Sequence, residues 1–279
     1  MSAGVCYFLM GESHGLQLLA SLCALRKHYR GPVAILAPSG EVIPAAICAD
    51  KRLDAFVSPL TVCKHRKNSA LCTKTTLQHF TPFDPTLFLD ADTIPVADVA
   101  PLFPAAAEEC VWVRFSDWRV CGSPYEARVR RLADRVGHQH LLKRVLAENR
   151  PAVNTGVFSF WKTAGALAPI HALCHQAFAV FIPDECATQM LYGDYPHRLE
   201  AEKWNASPRH CRDKDAVRVW HCHGSKQFHR TTRGLFTRLL TEIFSLNFGN
   251  VRDWIDRDRW WPTVREQYRS ALKEQIVSG

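Results

Sequence analysis

No stretch of the sequence approaches 18 consecutive apolar residues, so no transmembrane helix is expected. The first residues, MSAGVCYFLMGESHG, have no basic segment ahead of an apolar one and run straight into a strand-like pattern. That is not the make-up of a secretory signal. The eleven cysteines include no Cys-x-x-Cys pair, their number is odd, and Cys6, Cys23 and Cys48 lie in apolar runs. This argues against a disulfide framework and for reduced, mostly buried thiols, with the cytoplasm as the expected compartment. There is no low-complexity linker, no repeat longer than one strand-helix unit and no recognisable nucleic-acid motif.

What is present is a chain of 279 residues, enough for one large α/β domain with a real core. Hydrophobic residues make up 47% and charged ones 22%, which suits a soluble globular protein. The formal net charge of +8 favours an anionic partner. A nucleotide, an acidic glycan, an anionic membrane surface and a nucleic acid all qualify.

VCYFLM (5–10), VAILA (33–37), DAFVS (54–58) and TLFLD (86–90) read as strands, each a short apolar run bounded by breakers. Between them, residues 14–29, 41–52 and about 69–80 read as helices. Ser13 is placed to cap the first and Gly31-Pro32 to end it. Apolar strands alternating with helices predict an α/β fold, with a mostly parallel sheet covered on both faces. Further on, 110–115 and 152–161 read as strands and 124–149 as one or two charged helices. Residues 164–181 read as a helix running up to Pro183, and 216–228 as a strand entering a histidine-rich loop. The tail reads as amphipathic helices. The expected organisation is one domain over 1–229, with a helical C-terminal extension over 230–279 packed on it.

Four segments carry chemistry. Asp90-Ala91-Asp92 follows an apolar strand, and ligands of open parallel sheets collect at carboxyl ends of strands. Two carboxylates so spaced can share Mn²⁺ or Mg²⁺ and leave positions open for phosphate oxygens; a solvated acidic turn has the same composition. Asn154 and Gly156 interrupt an apolar strand, and an interior glycine often marks a close approach of backbone or ligand. Asp184 and Glu185 follow Pro183 at a helix start, where the macrodipole alone favours acids. In WHCHGSK, His221 and His223 alternate, so they face opposite sides of a strand. Either is a candidate metal ligand, Gly224 leaves room for a phosphate, and Lys226 carries a charge to meet one.

These segments, in this order, resemble the nucleotide-sugar-dependent glycosyltransferases of the GT-A (Rossmann-like) fold. The likeness is greatest to family 8, the group of glycogenin and the lipopolysaccharide galactosyltransferases. TKTTLQHFTPFDPTLFLDADTIPV (73–96) is similar to that family's approach to its DxD motif, and NTGVFSF to its asparagine-glycine strand. PDECATQ, LEAEKWNA (199–206) and HCHGSK are similar to its later signatures. The resemblance implies a metal-dependent transfer from a nucleoside diphosphate sugar, most naturally a UDP-sugar, with retention. It implies that Asp90 and Asp92 hold Mn²⁺ (or Mg²⁺) against the diphosphate, with His221 as third ligand and Ala91 beside the donor. Lys226 would pair with the leaving phosphate, and Asn154 and Asp184 would contact donor sugar or acceptor as catalytic groups. Leu9, Met10 and Gly11 would approach the base, with Lys74, Gly156 and Gly224 also around the donor. The chain departs from the pattern at Gly224-Ser225-Lys226, one residue shorter, and lacks the proline-tryptophan after the lysine.

Glycan, lipid-linked glycan, protein and modified DNA remain open as acceptors. The tail mixes arginines with Phe236, Trp254, Trp260 and Trp261. It reads either as a basic-aromatic surface for peripheral membrane contact or, preferably, as core aromatics with a solvated basic face. Two other functions stay in play: a metal-dependent phosphoesterase or nucleotide-sugar pyrophosphatase, and a basic nucleic-acid-binding protein.

Overall fold

Strand β1 (Gly4–Phe8) shows the plan of the core. Val5 and Tyr7 fall into one hydrophobic layer and Cys6 into the opposite one. The same alternation puts Leu87 and Leu89 of β4 (Thr86–Leu89) in the first layer and Phe88 in the second. The computed structural model describes residues 2–10, 14–39, 47–48, 51, 53–64 and 68–222. The expected C-terminal extension, Ser13, most of the helix expected over 41–52, and the basic-aromatic tail lie outside the described residues.

Seven strands form one sheet in the order β3-β2-β1-β4-β7-β6-β8. The others are β2 (Val33–Pro38), β3 (Ala55–Leu60), β6 (Cys110–Arg119), β7 (Pro151–Phe160) and β8 (His197–Glu200). β7 alone runs against its neighbours, so the sheet is mostly parallel. A second, two-stranded sheet pairs β5 (Thr93–Pro95) with β9 (Val219–His221). Helix α1 (Gly15–Arg26) packs on one face through Leu18, Leu19, Leu22 and Leu25, all fully buried. The other face carries α4 (Pro124–Val136), α5 (Gln139–Ala147), α6 (Leu167–Gln176) and α7 (Pro183–Leu191).

Three elements differ from expectation. The helix expected over 69–80 is two short helices, α2 (Ser69–Lys74) and α3 (Leu77–Phe80). Thr75 and Thr76 separate them, each hydroxyl donating at 2.7 Å to the carbonyl three residues back, which competes with the helical ladder. The helix expected to reach Pro183 stops at Gln176. Beyond it, Asn68 Nδ2 donates to the carbonyls of Phe178 and Val180 at 2.8 and 2.7 Å, so those oxygens are satisfied without helix. Strand β3 is an edge strand rather than one covered throughout, with Phe56 44% and Val57 38% exposed. Pro59 sits there, where a missing N–H is tolerated.

The chain winds outward in both directions from β1, toward β2 on one side and β4 on the other. Such a switch point leaves a crevice at the carboxyl ends of the two strands. Leu9 and Met10 leave β1 there, and Asp90 leaves β4 there. All eleven cysteines are free thiols. Among the described residues no helix is long and apolar enough to cross a membrane.

Candidate active site

Beyond Leu89 the chain bends sharply. Asp90 N donates to Gly156 O at 2.8 Å, and Thr93 gives both its N–H (3.0 Å) and its hydroxyl (2.7 Å) to the Asp90 carbonyl. The turn presents both carboxylates to the crevice. Thr93 then pairs with His221 across the β5–β9 sheet, and Cys222 N donates to Asp92 O at 3.0 Å. His221 is thereby aimed inward. Its Nε2 lies 3.2 Å from Asp92 Oδ1 and 3.7 Å from Asp90 Oδ2.

The other ring nitrogen of His221 is fixed from behind. Nδ1 lies 2.8 Å from Asn205 Oδ1, and Asn205 Nδ2 donates to Asn154 Oδ1 at 3.2 Å. An amide donating through its nitrogen leaves its oxygen to accept, so Nδ1 carries the hydrogen and Nε2 faces the carboxylates. Burial works against a charged imidazole, but Asp92 and Asp90 outweigh it and raise the His221 pKa. Gly156 makes the position available: a Cβ there would lie 2.0 Å from His221 Cε1. The close approach that an interior glycine suggests is therefore made by this ring.

The ligand atoms of Asp90, Asp92 and His221 lie within 4.8 Å of one another, the one such group among the described residues. The histidine is buried, while the two carboxylates are 27% and 25% exposed. Two hard oxygens and one imidazole nitrogen, open on one side, fit Mn²⁺ or Mg²⁺. The histidine's bond to Asn205 supplies the outer support such ligands use.

Lys74 closes α2 beneath the turn. Its Nζ lies 2.8 Å from Asp90 Oδ2 and 3.9 Å from Asp184 Oδ2, with the residue only 5% exposed. Burial disfavours its charge, and the two carboxylates more than restore it, so its pKa is raised. Asp184, in the first turn of α7, accepts from Thr155 Oγ1 at 2.8 Å through Oδ2, while Oδ1 has no hydrogen-bond partner. Burial raises its pKa against the pull of Lys74. Beside it lies a cavity of about 20 Å³, room for one water. Glu185 is nearer the surface. Burial and then Asp184 push its carboxyl up to about 7. Asn154 Nδ2 donates to its Oε1, and Arg128 lies 3.8 Å from its Oε2. An open cleft of about 270 Å³ lies over the turn, lined by Leu9, Met10, Lys74, Asp90, Ala91 and Asp92.

No protein-family model matches the chain, and no curated protein is significantly similar to it. Solved structures are similar. One is an active-site mutant of LgtC, with TM-score 0.60 and 12% identity, covering 86% of this chain and 95% of that one. Another is the galactosyltransferase LgtC in complex with donor and acceptor sugar analogues, with TM-score 0.59, 14% identity and the same coverages. A third is the bifunctional glycosyltransferase WbbM, with TM-score 0.58 and 10% identity, covering 88% of this chain and 51% of that one. The fold is that of the GT-A glycosyltransferases. At these identities the likeness is one of fold, and the chemistry rests on the residues.

The structure gathers Leu9, Met10, Lys74, Asp90, Ala91, Asp92, Asn154, Gly156, Asp184 and His221 into one neighbourhood. Gly11, His223, Gly224 and Lys226 lie outside the described residues. Asn154 and Asp184 sit below the cleft surface, 3% and 2% exposed. Asn154 is engaged on both ends of its amide, its Oδ1 also accepting from Gly156 N at 2.8 Å. Two participants carried no role from sequence. Asn205 lies in the quoted segment LEAEKWNA, and its signal was an amide set among apolar neighbours. Tyr125, buried beside Glu185, whose charge adds to burial in raising the Tyr125 pKa, stands in a charged helix without any local sign of that neighbour.

Proposed function

We propose that this protein is a metal-dependent glycosyltransferase that moves a sugar from a UDP-sugar to an acceptor hydroxyl. The observation that carries the reading is the Asp90–Asp92–His221 group, set with Lys74 at the switch-point crevice of a fold shared with glycosyltransferases. When bound, Mn²⁺ or Mg²⁺ would supply Lewis-acid stabilisation of the charge that grows on the departing diphosphate. Asp90, Asp92 and His221 would hold it. Lys74 places a second positive charge beside the same diphosphate. Leu9 and Met10 form the wall on which the base packs. Asp184 keeps Lys74 charged and in place, and Asn154 holds Glu185 by its Oε1. Lys226, beyond the described residues, remains our candidate for the leaving phosphate.

Glu185 and Asp184 supply negative potential toward the sugar, where an oxocarbenium-like transition state gathers positive charge. Retention is the stereochemistry we expect from the sequence resemblance. One observation favours a second outcome: a carboxyl near 7 is matched to taking a proton from an acceptor hydroxyl, which would make Glu185 the base of an inverting reaction. The anomeric configuration of the product, read by NMR, separates the two.

The test is calorimetric titration of UDP into the full-length protein with and without Mn²⁺, repeated with Asp92→Asn. Metal-dependent binding that the substitution weakens at least tenfold is the expected result. Metal-dependent binding indifferent to Asp92→Asn would move the metal elsewhere. No UDP binding in either condition would sink the donor assignment.

A further inference from the structure

Two thiols meet where α2 and α6 pack together. Cys72 of α2 and Cys174 of α6 are 102 residues apart in the chain, yet both are fully buried with their sulfurs 3.7 Å apart. Further bonds tie the same contact. Thr75 Oγ1 lies 2.9 Å from His171 Nδ1. Cys63 N donates to Thr73 Oγ1 at 2.9 Å, and the Cys63 sulfur lies 3.3 Å from His175 Nε2. Cys63 thus bonds the residue next in sequence to each of the two thiols, and it is itself only half-buried. The pair therefore borders a position that solvent reaches.

Buried thiols are ordinarily inert, because burial keeps them protonated. Here Cys174 donates its S–H to the Cys72 sulfur. That bond outweighs burial and lowers the Cys72 pKa, while the same bond, with burial, raises that of Cys174. The two thiols are therefore unequal: Cys72 is the better nucleophile, and Cys174 stands against it as the second thiol. The pair is also joined to the donor site. Lys74 is two residues beyond Cys72, at the end of the same short helix, and its Nζ lies 2.8 Å from Asp90 Oδ2.

We propose that Cys72 and Cys174 are an oxidation site for hydroperoxides, and that their disulfide weakens donor binding by displacing Lys74. The Cys72 thiolate attacks one peroxide oxygen, the O–O bond breaks, and the other oxygen leaves and takes up a proton. Cys72 is then a sulfenic acid. Cys174 attacks its sulfur, the S–S bond forms, and the hydroxyl leaves as water with the Cys174 proton. With hydrogen peroxide the two thiols give up two hydrogens in all, and the peroxide becomes two waters. A disulfide holds its sulfurs about 2.0 Å apart, so these two must close by about 1.7 Å. Part of that closure falls on α2, which has only six residues and ends at Lys74. A hydrogen bond of 2.8 Å is lost when one partner moves by about 1 Å. The consequence for the donor rests on the glycosyltransferase reading; the disulfide itself does not.

The experiment treats the full-length protein with hydrogen peroxide, blocks the remaining thiols with N-ethylmaleimide and maps disulfides by peptide mass spectrometry. The main cross-link is expected to join Cys72 to Cys174 and to be reversed by dithiothreitol. UDP titrated calorimetrically with Mn²⁺ should bind the oxidised protein about tenfold more weakly, the effect of losing one hydrogen bond to a charged group, and recover on reduction. Cys174→Ala should bind UDP as the wild type does and keep that affinity through peroxide treatment. Cys72→Ala serves the same purpose should Cys174→Ala fold poorly. No cross-link, or one made through Cys63 or another cysteine instead, would overturn the site. So would a Cys72–Cys174 cross-link that leaves UDP affinity within twofold, or a loss of affinity that persists in Cys174→Ala. Reduced wild-type protein that fails to bind UDP would instead strike the glycosyltransferase reading, and the cross-link alone would then decide the oxidation site.

Discussion

Gly156→Ala is the smallest change that tests the architecture of the proposed metal site. The added methyl carbon would lie 2.0 Å from His221 Cε1 and 2.5 Å from Nδ1. Ordinary contact needs about 3.4 Å, so the ring must retreat by roughly 1.4 Å. His221 is 2% exposed and its Nδ1 is tied to Asn205 at 2.8 Å, so retreat breaks a buried hydrogen bond. Overpacking of this kind costs about 1–3 kcal/mol, and an orphaned buried polar group about as much again. The expected loss of stability is therefore about 2–6 kcal/mol, read as a shift in the urea midpoint. Metal ligands tolerate displacements of about 0.2 Å. A shift several times larger removes one of three ligands, and the Mn²⁺ affinity should fall by about 100-fold or more, beyond the usual effect of disturbing a supporting residue. The double variant Gly156→Ala/His221→Ala should recover part of the lost stability and none of the metal binding. A single variant that binds Mn²⁺ within twofold of wild type, with an unchanged midpoint, would refute the packing described for this ring.

Two more outcomes follow from the buried charges. Lys74→Met removes the cation that now neutralises Asp90, so Mn²⁺ alone should bind about tenfold more tightly, while UDP with Mn²⁺ should bind more weakly; calorimetry in which both affinities move the same way would contradict the role given to Lys74. Glu185, raised from 4.5 to about 7, stabilises the fold in its protonated form, fully below pH 4.5 and decreasingly as pH rises through about 7. Its share is on the order of 3 kcal/mol. Glu185→Gln should flatten urea midpoints measured from pH 5 to 8, and an unaltered slope would place the titration elsewhere.

The strand runs were legible because β1, β2 and β4 are buried on both faces and so read as unbroken apolar segments. Asp90 and Asp92 were legible for the same reason, since two carboxylates ending such a run stand out. Helix ends were less so. The halt at Gln176 depends on Asn68, more than a hundred residues earlier in the chain, and no local pattern announces that bond. Asn205 and Tyr125 illustrate the same limit at the site: each acts through a partner brought near by the sheet. Lys74 is intermediate. Its place on a helix near the donor could be read from the resemblance, whereas its bond to Asp90 needed the break at Thr75 and Thr76 that ends α2 beneath the turn.

The short β5–β9 sheet also has a meaning in time. Its two strands leave the ribosome far apart, because about 130 residues separate Asp92 from His221. At synthesis rates of about 5–20 residues per second, the wait is roughly 6–26 seconds. Throughout it the two aspartates exist without their histidine, as a half-made site with weak hold on any cation. Lys74 has already been made by then, only 16 residues ahead of Asp90. An internal ammonium group can therefore attend the carboxylates from the start, and the three proposed metal ligands come together only once His221 has been made.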